Sequence, residues 1–129
     1  MKVALVQTSL VWGNPMEDRK RLEQNIHGIS EKVDLIVLPE MFTSGFSMHP
    51  ERVFETMTGE TMQWLKKLSK AKKCAITGSL VIAANNNYYN RLVFVRPNGE
   101  VQQYDKRHLF TLAGEEKVYR SGKSKLIVE

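Results

Sequence analysis

Apolar residues fall along this chain in runs whose spacing changes from place to place, and those changes mark out its elements. Residues Lys2 to Ser9 open with Val3-Ala4-Leu5-Val6, a near-continuous apolar run of the kind found in strands covered on both faces. Gly13-Asn14-Pro15-Met16-Glu17 carries helix-start signals. Asn14 can cap, Pro15 suits the first helical position, and Glu17 stands where a capping-box carboxylate reaches back. Leu22, Ile26, Ile29 and Val33 follow at spacings of four, three and four, one stripe of an amphipathic helix. Asp34 to Glu40 predicts a second buried strand. Strand, helix and strand within the first 40 residues make a βαβ unit with parallel strands.

The pattern then loosens. Met41 to Glu55 has no period and contains Gly45 and Pro50, so a loop with at most a short turn of helix is expected. A second helix, from about Gly59 to Lys73, places Met62, Leu65 and Leu68 on one side with Trp64 at the border. Cys74 to Ala84 predicts the third strand, interrupted at Gly78-Ser79. Asn85-Asn86-Asn87 turns the chain into Tyr88–Arg96, and Pro97-Asn98-Gly99 turns it again into Val101–Arg107. The succession βαβα followed by a three-stranded meander predicts one α/β domain with a mixed sheet and two helices on one face. No repeat, linker or low-complexity segment divides it. Beyond the Leu109–Gly122 loop, Lys125-Leu126-Ile127-Val128-Glu129 reads as a strand just begun, and the 129-residue chain is expected to be a domain cut short.

Composition narrows the class. Apolar residues are 42% and charged residues 26% of the chain, the balance of a globular domain, and no apolar run approaches the roughly 20 residues of a membrane span. The first residues lead straight into a strand, without a secretory leader, which points to a cytoplasmic protein. A lone cysteine, Cys74, excludes a disulfide framework. The net charge of +5, from 19 Lys and Arg against 14 Asp and Glu, raises nucleic acid as a partner. The basic groups Arg19-Lys20-Arg21, Lys66-Lys67 and Lys70 with Lys72-Lys73 nevertheless lie on polar helix faces, with no interleaved aromatics. Neither a nucleic-acid nor a membrane partner is expected.

Few residues stand out chemically. Glu40 follows Pro39 at the C-terminal end of a parallel strand, where α/β sheets place ligands and catalytic groups; a solvated carboxylate ending the strand fits the position equally well. Lys106, in Tyr104-Asp105-Lys106-Arg107-His108-Leu109-Phe110, could hold an oxyanion or keep a carboxylate ionised, or it could be an edge charge paired with Asp105. His108 reads as a hydrogen-bonded structural histidine, Glu115 and Glu116 as loop carboxylates, and Cys74 as a buried structural thiol. His27, His49 and His108 have no metal-ligand spacing, and no phosphate-binding glycine pattern occurs, so no cofactor and no metal are expected.

Taken together the segments resemble the nitrilase superfamily of carbon–nitrogen hydrolases. Asp34-Leu35-Ile36-Val37-Leu38-Pro39-Glu40-Met41-Phe42 resembles its first catalytic motif and Tyr104–Phe110 its second, in the family's order and spacing. Phe42-Thr43-Ser44-Gly45-Phe46-Ser47-Met48, Trp64-Leu65, Ile76-Thr77-Gly78-Ser79 and Tyr89-Asn90-Arg91-Leu92 resemble the omega-amidase branch, which hydrolyses terminal amides of small acids such as 2-oxoglutaramate. The resemblance implies the N-terminal half of an αββα sandwich. It also implies Glu40 as general base, Lys106 as the group that stabilises the tetrahedral intermediate, and Glu115 as a second glutamate, placed by counting back from Gly122, with Glu116 as the alternative. The family's nucleophilic cysteine belongs beyond Glu129, so residues 1–129 alone are expected to be inactive, and Cys74 is out of place to substitute. A small amide substrate is implied, and with half a sandwich a homodimer or higher self-association. Arg107 or Arg91 could meet a substrate carboxylate. Two other readings rank well behind this one: a non-catalytic module that holds a small acid or amide, and a basic nucleic-acid binder favoured only by the net charge.

Overall fold

The computed structural model describes residues 1–129, and its frame is a five-stranded sheet with strands in sequence order. β1 (Val3–Leu5) lies parallel to β2 (Leu35–Val37), the two joined by α1 (Pro15–His27). β2 lies parallel to β3 (Ala75–Ala84), with α2 (Pro50–Val53) and α3 (Glu60–Lys72) between them. From β3 the chain meanders antiparallel through β4 (Asn87–Val95) and β5 (Val101–Asp105). The mixed sheet, the parallel β1–β2 pair and the closing meander are those the hydrophobic pattern predicts. Asn85 and Asn86 take the hairpin turn at φ 50° and 58°, the double left-handed conformation that asparagine tolerates and a two-residue hairpin needs.

Both long helices cover one face of the sheet. Leu22 and Ile26 of α1 and Met62, Leu65 and Leu68 of α3 pack on Ile36, Ile76, Leu80, Ile82, Val93 and Val95. The Asn14 side chain accepts the Glu17 amide at 3.2 Å, capping α1 as its sequence predicts. The helix ends at His27 rather than near Val33. Gly28 and Ser30 are poor helix formers, and the Asp34 amide is already committed to Lys2 O at 2.8 Å beside β1. Ile29 and Val33 still pack into the same core, so their spacing reports a common face and not a common helix.

Three further expectations are corrected. β3 runs unbroken through Gly78-Ser79. Gly78 is there because a Cβ would stand 2.8 Å from both Leu38 Cβ and Phe42 Cδ1, the side chains that flank Glu40 in sequence. Gly78→Ala is expected to destabilise the domain by about 1–3 kcal/mol through overpacking, read as a lower urea midpoint with an unchanged slope. Lys125–Glu129 forms no strand; its amides meet no ladder partner, and Glu129 O accepts instead from Arg96 Nη2 at 2.5 Å. β1 is not covered on both faces but is a short edge strand. On the side away from the helices Leu5 is 77% exposed and Val3 40%. Leu35, Val37, Leu92, Phe94 and Tyr104, which share that side by register, are only partly buried.

Candidate active site

The carboxyl end of β2 is held open by its neighbour. Met41 adopts φ 47°, its amide donates to Ser79 Oγ at 2.9 Å, and the Phe42 amide donates to Ser79 O at 3.0 Å. Met41 and Phe42 are fully buried, so β3 fixes a sharp turn from which Glu40 projects. Lys106 follows β5 directly; its amide donates to Asn90 O at 2.9 Å, and its own carbonyl accepts from the Gly122 amide at 2.9 Å. Glu115 opens a 3-10 turn after Gly114, whose φ of 75° turns the chain inward.

These elements bring Glu40, Lys106 and Glu115 into one cluster. Lys106 Nζ lies 2.8 Å from Glu40 Oε1 and 3.0 Å from Glu115 Oε2. Glu115 is fully buried and its Oε2 also accepts the Phe110 amide at 2.6 Å. Glu116, its neighbour, is exposed. The Asn90 amide donates to both carboxylates, at 2.7 Å to Glu40 Oε1 and 3.2 Å to Glu115 Oε1. Sequence reasoning quoted Asn90 within a motif and assigned it no role. The available signal is a polar pair, Asn90-Arg91, set between Tyr88-Tyr89 and the apolar run Leu92–Val95.

The cluster borders a cavity of ≈ 280 Å³ lined by Glu40, Ser79, Asn90, Leu92, Tyr104 and Lys106, among others. The Phe46 ring stands 5.5 Å from Lys106 Nζ and meets Phe110 edge-on with centroids 6.4 Å apart. Tyr119 donates its hydroxyl to Ser47 O at 2.5 Å, tying the Glu115 turn to the loop that carries Phe46. Burial, then the Glu115 charge, pushes the Tyr119 phenol well above its ordinary range, so it remains a neutral donor. Burial works against the Lys106 ammonium, but its hydrogen bonds to Glu40 and Glu115 outweigh that and hold it above the usual lysine range. Lys106 is therefore a permanent cation near neutral pH. Such a fixed donor can stabilise an anion that develops in the cavity but cannot serve as a base. Glu40 is the half-exposed member, and its Oε2 has no protein donor.

Other candidates lie elsewhere. Arg91 points to the helix side of the sheet, donating to Asp105 at 2.6 and 2.9 Å and standing 5.4 Å over the Tyr89 ring. It is thus committed away from the cavity, and it takes the partner that sequence offered to Lys106. Arg107 donates its amide to Tyr104 Oη at 3.3 Å and does not line the cavity. His108 is exposed and forms no side-chain hydrogen bond, so it is not the bonded structural histidine expected. No group of three or more His, Cys, Asp or Glu side chains is arranged to hold a metal ion.

Cys74 lies 2% exposed in the core between α3 and the sheet, and burial pushes its thiol above the ordinary range. The structural reading of this residue fits. Native protein at pH 8 is expected to react with iodoacetamide far more slowly than protein in urea, because the thiolate is both scarce and covered. Equal rates by mass spectrometry would contradict this placement.

The mixed α/β sheet thus sets Glu40 and Lys106 at one cavity, with the buried Glu115 behind Lys106. The chain belongs to the carbon–nitrogen hydrolase family, which it matches over residues 2–128. It is 37% identical over 131 aligned positions to the omega-amidase YafV of Escherichia coli K12, covering all of this chain and 50% of that protein. Identity to the 2-oxoglutaramate amidase of Bacillus subtilis is 31%, over 88% of this chain and 45% of the relative. A CN-hydrolase superfamily protein of Xanthomonas campestris, solved with an arsenic adduct in its active site, superposes with a TM-score of 0.95 at 36% identity. It is matched over 100% of this chain and 49% of its own. The chain thus spans about half the length of the relatives it matches, and no helix in it is long and apolar enough to cross a membrane.

Proposed function

We propose that residues 1–129 supply the base and the oxyanion donor of a hydrolase that releases ammonia from the terminal amide of a small omega-amido acid of the 2-oxoglutaramate kind. The observation that carries this reading is Lys106 held between Glu40 and Glu115 at 2.8 and 3.0 Å beside a small cavity. In the proposed reaction Glu40 accepts the proton of a cysteine thiol as the sulfur attacks the amide carbon. Lys106 meets the oxygen that becomes negative, an interaction worth about 3 kcal/mol of barrier. The C–N bond breaks, ammonia leaves with the proton Glu40 returns, and a water activated by Glu40 hydrolyses the thioester. Glu115 holds Lys106 in place.

The nucleophile is assigned to sequence outside residues 1–129, because Cys74 is buried on the helix side of the sheet. The test compares two samples. The 129-residue chain is expected to release no ammonia from 2-oxoglutaramate. Joined to the cysteine-bearing half of an omega-amidase relative, it is expected to do so, with a loss of ~100- to 1,000-fold on Glu40→Gln. Activity in the chain alone that survives Cys74→Ala and is lost with Glu40→Ala would overturn the assignment of the nucleophile. A folded, joined protein indifferent to Glu40→Gln would overturn the role of the base. The bare side of the sheet, with Leu5 77% exposed, further supports self-association of the isolated chain. Sedimentation is expected to show species above the 14.8 kDa monomer; a sharp monomer would refute it.

A further inference from the structure

We infer that Asn90 is a positioning residue that fixes which oxygen of Glu40 takes the proton. The inference rests on the proposed role of Glu40 as base and deepens it. Asn90 lies in β4 directly beside Lys106, whose amide its carbonyl accepts at 2.9 Å, and its side chain is nearly sealed from solvent, with the residue 2% exposed. Its Nδ2 carries two hydrogens and spends them on two carboxylates, 2.7 Å from Glu40 Oε1 and 3.2 Å from Glu115 Oε1. With anions on that side, the amide nitrogen and not the oxygen must face them, so the orientation of the amide is set by its neighbours.

The consequence is an asymmetry within Glu40. Oε1 receives both Asn90 Nδ2 and Lys106 Nζ, at 2.7 and 2.8 Å, and charge-assisted donors of this kind hold an oxygen in its anionic form. Oε2 receives no donor from the chain and is left to accept the proton. Glu40 is half exposed and turns about its own side-chain bonds unless something holds it; Lys106 is flexible and shared with Glu115, whereas Asn90 is short and packed. Apart from Lys106, no other side chain bridges the two carboxylates. A serine at this position would offer one hydrogen for two acceptors, and an aspartate would add a third negative charge to the pair.

Two readouts test this. The first needs no turnover: the Lys106 ammonium is followed by side-chain NMR in the 129-residue chain. Asn90→Ala is expected to release Glu40 from its fixed place and lower the Lys106 titration midpoint toward the ordinary lysine range, with Asn90→Ser falling between. The second uses the active, joined protein, where Asn90→Ala is expected to lower kcat by ~100-fold at nearly constant KM, and Asn90→Ser by less. A side chain needed only for packing would move thermal stability and leave the Lys106 midpoint and the Ser–Ala difference untouched, and that result overturns the inference. If Glu40→Gln proves silent while Asn90→Ala still shifts Lys106, the reading of the base fails and Asn90 is left holding the pair without selecting a base. If Glu40→Gln abolishes activity while Asn90→Ala is unchanged in both readouts, the reading stands and the inference fails.

Discussion

Lys106→Met is expected to cost both activity and stability, through two separate losses. In the joined protein the oxyanion donor disappears, for a fall of ~100- to 1,000-fold in kcat. In the isolated chain the fully buried Glu115 loses its only cation while keeping its bonds from Phe110 and Asn90. An uncompensated buried charge of this kind costs about 3 kcal/mol. The double variant Lys106→Met/Glu115→Gln is expected to recover most of that stability and none of the activity, since the charge to be compensated has gone and the donor has not returned. Urea denaturation of the single and double variants measures the coupling; additive losses would contradict it.

The same cluster sets an alkaline limit. Lys106 is held above its ordinary value by Glu40 and Glu115, so its contribution is complete below the unfolded lysine value and is lost as pH rises through the higher folded one. Tyr119 is held above its ordinary value by burial, so the unfolded phenol ionises first, near pH 10, and draws the equilibrium toward unfolding. Both groups therefore make stability fall above about pH 10, and Lys106→Met removes one part of that slope.

Phe42→Ala is expected to be the most damaging change away from charge. The ring is fully buried, packs against Trp64 with centroids 6.3 Å apart, and approaches the Cα of Gly78 closely enough to exclude a Cβ there. Its removal leaves a cavity beneath Glu40, at about 3–5 kcal/mol. Because the Phe42 backbone is also bonded to Ser79 O, collapse around that cavity shifts the turn that aims Glu40. Phe42→Leu, which keeps most of the volume, is expected to cost less than half as much. Thermal unfolding separates the two; equal losses would show that the ring does not fill this space.

What could be read from sequence follows from how local each signal is. Period and turn chemistry located the βαβ unit and the meander, because Asn85-Asn86 and Pro97-Asn98-Gly99 act on their own neighbours. Gly78 misled because its reason lies across the sheet, in Leu38 and Phe42, and nothing within β3 announces it. Ile29 and Val33 misled because a core-facing stripe can outlast the helix that began it. Glu40, Lys106 and Glu115 could be singled out by position and resemblance, and the fold brings these three together across 66 residues of separation between the first two. Asn90 escaped because its partners, Glu40 and Glu115, lie outside the strands, 50 and 25 residues away in sequence. Arg91 was offered to a substrate on charge alone, and side-chain alternation turned it to the opposite face.

The division of the sheet into an antiparallel meander and a parallel pair also orders its assembly. β3, β4 and β5 meet through short turns between consecutive strands, so their contacts close small loops, whereas β1 and β2 meet only after a whole helix has been threaded between them. Short loops close first. The refolding chain is therefore expected to bring Asn90 and Lys106 together early and to dock Glu40 late, when β2 joins β3. Amide exchange should be slowest in β3 and β4 and fastest in β1, and the carboxylate that completes the cluster arrives on the part of the sheet that is last to form and first to open.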